Sequence, residues 1–293
     1  MKREALFWLL PVAAFFLFPD HRVLGSQVLI AALLALSLDL VLGYAGIVSL
    51  GHAAFFGCGA YVAGLLAAKA GWTEPMSALA IAVVASAALG AVTSVLVVRG
   101  TDLTRLVVTL GVALLLYEGA NRAAALTGGV DGLSLPEGAI LGMRFDLGGR
   151  VAYAYSFVVL LVAFLFARRL GASPFGLSLR AIRENGERMS AIGAPVRLRL
   201  VAVYTIAAGM AGAAGALLAQ TTQFVGIDTL AFHRSADVLI MLALGGVGRL
   251  YGALIGATVF MVAQDLLAGL DPVYWQFWLG LLLVIVVLVR KRP

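Results

Sequence analysis

Apolar residues run along this chain in long blocks separated by short polar or glycine-rich intervals. The blocks fall at about 5–18, 26–42, 47–69, 77–98, 106–124, 151–167, 201–220, 236–248, 250–269 and 273–289. A helix needs roughly 20 apolar residues to cross a hydrocarbon core. The pattern therefore predicts an all-α fold, a polytopic transmembrane helical bundle of about ten spans. The first and eighth blocks are short for a crossing and read as half-helices or re-entrant segments. No interval is large enough to fold alone and no low-complexity linker divides the chain, so residues 1–293 read as one membrane domain.

Composition agrees with the pattern. Hydrophobic residues make up 62% of the chain and charged residues 12%, with a mean hydropathy of +1.02. A soluble domain carries roughly 25% charged residues to cover its surface. The net charge of +6 does not indicate nucleic-acid binding. Its basic residues sit at the ends of apolar blocks, where they set topology. The single cysteine, Cys58, excludes an intramolecular disulfide and a cysteine-based metal site. Met1-Lys2-Arg3 ahead of an apolar block resembles a signal peptide, yet Pro11 interrupts the block and no small-x-small cleavage site follows. A retained anchor is expected.

Charge sets an orientation. With a cytoplasmic amino terminus and alternating spans, fifteen Lys and Arg fall inside and six outside. That bias matches the positive-inside rule and places both termini in the cytoplasm. The same count requires the short 236–248 block to cross, because otherwise the basic 168–199 loop and the basic tail would lie on opposite sides. The long outer segment at 125–150, with Thr127-Gly-Gly-Val-Asp-Gly, carries turn residues and reads as a structured loop.

Glycine marks the third block. Gly46, Gly51, Gly57, Gly59 and Gly64 stand where a lipid-facing span would use leucine, which implies close backbone contact or a broken helix. Gly248, Gly252 and Gly256 repeat a four-residue spacing, and Gly209/Ala213 and Gly212/Ala216 form a third small face. The glycine texture of 46–59 and 245–256 also suggests an internal repeat, with broken helices in corresponding positions along a substrate path. Gly51, His52, Gly57, Gly59, Gly248, Gly252 and Gly256 are thus candidates for either pathway lining or plain helix packing.

Titratable groups inside the blocks are few: Asp39, His52, Glu118, Asp237 and Asp265. They form no relay of carboxylates, which argues against proton coupling and for an energy source outside the chain. His52 either lines a pathway or makes a packed hydrogen bond. His21, His52 and His233 have no metal-ligand spacing, and neither a phosphate-cradling Gly-x-x-x-x-Gly-Lys-Ser/Thr loop nor a His-Glu-x-x-His helix is present. No catalytic role and no bound cofactor are expected.

The segment 168–199 departs most from the lipid-like texture. It holds Arg168, Arg169, Arg180, Arg183, Arg188, Arg197 and Arg199, one third of all Lys and Arg. Leu177, Leu179, Ile182, Met189 and Ile192 recur at roughly helical spacing, which predicts short amphipathic helices. Glu184 and Arg188 stand four apart in the favourable acid-first order, and Gly193 with Pro195 supplies a stop. A solvated loop on the lipid surface and a helix seated in a soluble partner both satisfy this pattern.

Four collinear motifs carry a family resemblance: Leu40-Val-Leu-Gly-Tyr-Ala-Gly-Ile-Val-Ser-Leu-Gly-His-Ala-Ala-Phe-Phe-Gly-Cys-Gly-Ala-Tyr61, Leu126-Thr-Gly-Gly-Val-Asp-Gly-Leu133, Ala181-Ile-Arg-Glu-Asn185 with Ala191-Ile-Gly193, and Leu244-Gly-Gly-Val-Gly-Arg-Leu-Tyr-Gly-Ala253. With them the chain resembles the permease subunits of branched-chain amino acid ABC importers, of the LivM type, over nearly its whole length. The resemblance implies a second related permease, two cytoplasmic ATPase subunits that use ATP and Mg, an extracytoplasmic solute-binding protein, and a bacterial or archaeal inner membrane. It also implies that Ala181, Arg183, Glu184, Asn185, Glu187, Arg188 and Gly193 form the ATPase-coupling segment. The family's acid-Arg-Ala-Ala-type stretch is interrupted here by Gly186 and reads Glu187-Arg-Met-Ser-Ala. Permeases for urea or short amides look similar, and a stand-alone channel or facilitator remains the alternative from another class.

Overall fold

The computed structural model describes residues 2–100, 102–136, 138–140, 143–145 and 148–290. Lys291 and Arg292 of the basic tail and residues 137, 141, 142, 146 and 147 of the outer loop lie outside that set. The chain folds as α1 (Lys2–Leu17), α2 (Arg22–Asp39), α3 (His52–Ala68), α4 (Pro75–Val97), α5 (Asp102–Arg122), α6 (Ala124–Thr127), α7 (Arg150–Ala172), α8 (Pro174–Glu184), α9 (Gly186–Ala191), α10 (Val196–Thr222), α11 (Phe232–Gly245), α12 (Leu250–Leu270) and α13 (Trp275–Arg290). Each of the ten apolar blocks carries a helix over most of its length. Among the described residues, six helical runs are long and apolar enough to cross a membrane: 19–44, 75–97, 103–122, 150–172, 196–222 and 250–270.

α10 is the central post, packed against α4, α3 and α2. The reason is its sequence, Ala-Ala-Gly-Met-Ala-Gly-Ala-Ala-Gly-Ala over 207–216, which removes side-chain bulk from every face of the helix. A Cβ on Gly215 would overlap the Phe56 carbonyl, and one on Gly59 would overlap the Gly212 carbonyl and stand 2.5 Å from its Cα. Gly90 of α4 is filled from the other side by Ala208. With lipid outside as apolar as the core, backbone proximity and dispersion hold such helices together.

The α11–α12 hairpin uses the same device. Gly245 meets Gly252, and Gly256 abuts the Met241 carbonyl. Here the structure corrects the expected single face of Gly248, Gly252 and Gly256. α12 starts at Leu250, and Gly248 sits in the preceding turn at φ +82°. That left-handed conformation suits glycine and reverses the chain.

Irregular backbone opens one apolar block and precedes another. The 47–69 pattern predicts one continuous span, but its helix begins only at His52. α2 ends in a π-helical turn at Leu40–Tyr44, and Gly46 then turns at φ +74° into an irregular strand that is largely buried. Gly46 lies on Arg183, whereas Gly64 lies on Val225 and Leu133, so residues 46–64 still run from one end of the bundle to the other. The segment ahead of the eighth block is likewise irregular. After α10 the chain forms β4 (Phe224–Val225), which pairs antiparallel with β1 (Leu133–Ser134), then a 3₁₀ turn at Ile227–Leu230, then α11. Leu230 packs on Gly57, and Gly248 reaches Gly43 and Arg183 at the opposite end. Irregular backbone inside a membrane bundle is tolerated only where protein covers it.

The loops sort onto two ends. Gly149 touches Val23, Gly138 touches Thr73, and the Lys69 Nζ donates to the Ala125 carbonyl at 3.3 Å, which gathers the segments near 22, 70, 125–150 and 223–226. Within 125–150 lie α6, the β1 strand and a β2–β3 hairpin (Ala139–Ile140, Met143–Arg144). Thr127 Oγ1 ties this loop back by donating to the Ala120 carbonyl at 2.6 Å. The segments 43–46, 168–199 and 246–249 meet at the other end.

Candidate functional site

The middle of the bundle is built around the N-terminus of α3, whose first amides lack partners within the helix. Hydroxyl groups from three elements supply them. The Leu50 N–H donates to Thr109 Oγ1 of α5 at 3.1 Å, the Gly51 N–H to Ser49 Oγ at 3.3 Å, and the Ala53 N–H to Ser235 Oγ of α11 at 2.9 Å. The two half-helices α3 and α11 thus meet N-terminus to N-terminus. Gly51 is required because a Cβ there would strike the Thr109 carbonyl. His52 is buried, its Nε2 is 2.8 Å from Ser37 Oγ of α2, and its ring stands edge-on to Phe55. In this conformation His52 is a packed, hydrogen-bonded residue between α2 and α3.

At the end of the bundle nearer 168–199, three elements converge on a polar knot. Asp39 is fully buried, and its Oδ1 accepts the Gly248 N–H at 2.7 Å. The Arg183 guanidinium reaches in from α8, donates through Nη1 to the Gly43 carbonyl and attracts the Asp39 carboxylate. Its aliphatic stem lies on Gly46. Next to it the Arg180 guanidinium stacks 4.7 Å from the Tyr44 ring centroid, and Gly171 of α7 lets Tyr44 approach. The π-turn glycine, the α11–α12 turn and α8 are thereby joined by one guanidinium.

The segment itself folds as two short helices. Ser173 caps α8 by accepting the Gly176 N–H at 3.3 Å, and Asn185 caps α9 by accepting the Arg188 N–H at 2.8 Å. Asn185, extended at φ −156°, separates them. This corrects the expected Glu184–Arg188 pair on one helix: the two residues belong to different helices, because a capping asparagine at 185 begins a new one. Leu179 and Ile182 face the bundle. Ala181 and Gly186 are half-buried, while Glu184, Asn185, Glu187, Arg188 and Gly193 are exposed. Leu177, Ile192 and Leu198 are also exposed, at 59, 72 and 71%. Arg183 belongs to both sides, with its body exposed and its guanidinium anchored.

The remaining candidates serve close packing: Gly57 under Leu230, Gly59 on α10, and Gly252 and Gly256 on α11. Sequence reasoning missed Ser37, Thr109 and Ser235, whose only signal was a hydroxyl in an apolar block. It also missed Tyr44 with Arg180, and the ion pair of Arg234 with Asp228 at 2.8 Å. Among the described residues no three His, Cys, Asp or Glu side chains gather to hold a metal.

The family model for the branched-chain amino acid transport system permease component matches residues 24–287, which include both broken helices and the knot that joins them to α8. The chain belongs to this permease family. The chain is 31% identical to the LivM permease proteins of the high-affinity branched-chain amino acid transport systems of Salmonella typhimurium and Escherichia coli. Each match covers 92% of this chain and 68% of the relative. It is 29% identical, over 72% of its length and 62% of the relative, to the L-arabinose ABC transporter permease AraH of Azospirillum brasilense. No solved structure matches. The chain is an ABC importer permease, a multi-pass membrane protein of a transporter permease family. The geometry agrees with that class: buried irregular backbone, half-helix termini meeting at mid-bundle, and one charged surface tied to both.

Proposed function

We propose that this permease carries branched-chain amino acids into the cytoplasm, paired with a second related permease and driven by two ATPase subunits that bind ATP and Mg. An extracytoplasmic binding protein delivers the solute to the end that bears the 125–150 loop. The chain crosses the inner membrane about ten times with both termini cytoplasmic, and residues 223–231 complete the crossing that α11 is too short to make. α8 and α9 rest on an ATPase through the exposed face of Leu177, Glu184, Glu187, Arg188 and Ile192.

The observation that carries the reading is the position of Arg183. It links that exposed face directly to Gly43 and Gly46, which lead toward α3, and to Gly248, which follows α11. Movement imposed on α8 therefore has a short mechanical route to mid-bundle. Ligand-driven population shifts need such a contact to distinguish the two states. The relation to an arabinose permease supports a second reading, in which the solute is a sugar or another small polar molecule.

Purification of the chain from its native membrane in mild detergent, followed by mass spectrometry, tests the assembly. An ATPase and a second permease are expected, and scrambling residues 181–193 should release the ATPase while the second permease stays. Recovery of the chain alone in folded form, with solute flux that needs no ATP, would overturn the reading in favour of a facilitator. Uptake of leucine against arabinose in proteoliposomes then decides the solute.

A further inference from the structure

Ionisable side chains within a membrane bundle are costly and sit where protein or a wet cavity receives them. A cavity of about 240 Å³ lies among α2, α3, α10, α11 and α12. Sites for drug-sized ligands measure roughly 300–1,000 Å³, so this one is scaled to a small solute. Leu218 on its wall is one turn from the end of α10, beside the β1–β4 pair, which places the cavity toward the end that bears the 125–150 loop.

Its lining is divided. Gln27, Arg234, Asp237 and Gln264 supply polar groups of both signs, and Ile30, Leu34, Phe56 and Phe260 supply an apolar wall. Arg234 and Asp237 are three apart on α11 and so share a helix face. Arg234 stands in the first turn of α11, where the helix dipole favours an anion. Its Nη2 is taken by Asp228, but its Nε is closed to solvent and has no hydrogen-bond partner. A buried donor left unmade is unfavourable, and an acceptor arriving in the cavity removes that penalty.

We propose that this cavity is a transient solute subsite for a zwitterionic α-amino acid with an aliphatic side chain. Arg234 takes the carboxylate, Asp237 with the amide oxygens of Gln27 and Gln264 takes the ammonium, and Leu34, Phe56 and Phe260 receive the side chain. A neutral sugar would set hydroxyls against the guanidinium and the carboxylate without forming an ion pair, whereas a zwitterion satisfies both charges. The inference rests on the importer reading and names the solute-handling groups within it.

The test uses the whole complex, this chain with its second permease, ATPases and binding protein, in proteoliposomes and nanodiscs. A photoreactive diazirine analogue of leucine is cross-linked and mapped by mass spectrometry, with excess leucine as competitor. Labelling of the α2, α3 and α12 peptides that carry Leu34, Phe56 and Phe260 is expected. Asp237→Asn and Arg234→Gln should each reduce that labelling and ATP-driven leucine uptake by about tenfold or more, the loss of one charged hydrogen bond. Asp237→Asn should also narrow the preference for leucine over 4-methylpentanoate, which lacks the ammonium group, an effect that a purely structural role would not produce. If Arg234→Gln fails to assemble, Gln264→Leu carries the test. Unchanged labelling and uptake in assembled variants of a complex that transports leucine overturns the subsite alone. A wild-type complex that moves arabinose and no leucine overturns the amino acid reading and the subsite with it.

Discussion

Replacement of Arg183 by alanine should loosen α8 from the bundle without unfolding the bundle. The substitution removes the guanidinium bond to the Gly43 carbonyl, the attraction to Asp39 and the stem that covers Gly46. Hydrogen bonds to charged groups contribute about 1.5–3 kcal/mol. Because the Arg183 body is exposed, screening places the value near the low end, about 1.5 kcal/mol. Each 1.4 kcal/mol is a factor of about ten, so the detached population of α8 should rise roughly tenfold. Amide hydrogen exchange over residues 177–185 in nanodiscs reads that population. About tenfold faster exchange there is expected, with no change in α10. Glu184→Ala, on the exposed side, should leave exchange as it is. In the reconstituted complex Arg183→Ala should lower solute moved per ATP hydrolysed. Arg183→Lys, which keeps charge without the planar fork, should fall between. Identical exchange in wild type and Arg183→Ala would refute the argument that this guanidinium ties α8 to the helix junctions.

Gly59→Ala forces a Cβ against the Gly212 backbone and should cost about 1–3 kcal/mol in detergent unfolding, whereas Gly111→Ala, with open space around it, should be neutral or stabilising. Ser37→Ala strands the buried His52 ring nitrogen and should cost about 1–3 kcal/mol, read as a lowered thermal midpoint; an unchanged midpoint would mean the pair contributes nothing. Asp271, between α12 and α13, has its pKa held below the ordinary 3.8, first by the Trp278 indole N–H and then by the Tyr274 N–H. A depressed carboxylate stabilises the fold above its unfolded pKa and loses that contribution as pH falls through the folded value. Trp278 fluorescence should therefore titrate with a midpoint below 3.8, and Asp271→Asn should abolish the transition.

The helices were legible because lipid-like blocks leave little choice of secondary structure, and α8 was legible from Leu179 and Ile182 recurring against arginines. The break before His52 was half legible. Gly46 and Gly51 announced close contact or interruption, but a glycine alone does not say which. What decides it is the supply of hydroxyls from Thr109 and Ser235, and those lie 59 and 182 residues away from their partners in the chain. Gly248 misled for a related reason. Four-residue spacing implies one helix face only if the helix is continuous, and a left-handed turn intervened. Asn185 misled likewise, since a capping side chain can end one helix and open the next within an unbroken amphipathic pattern.

The sequence by itself determined the class of molecule, the ten apolar helices, the basic end and the amphipathic segment, because each depends on residues close together in the chain and on the solvent they face. Only the tertiary structure decided where Arg183 points, how two half-helices meet at Ser235 and Ala53, and that Arg234 and Asp237 share a cavity with Gln27 and Gln264. Those relations join distant elements through hydrogen bonds and glycine contacts, and their direction is fixed by packing, which local pattern does not encode.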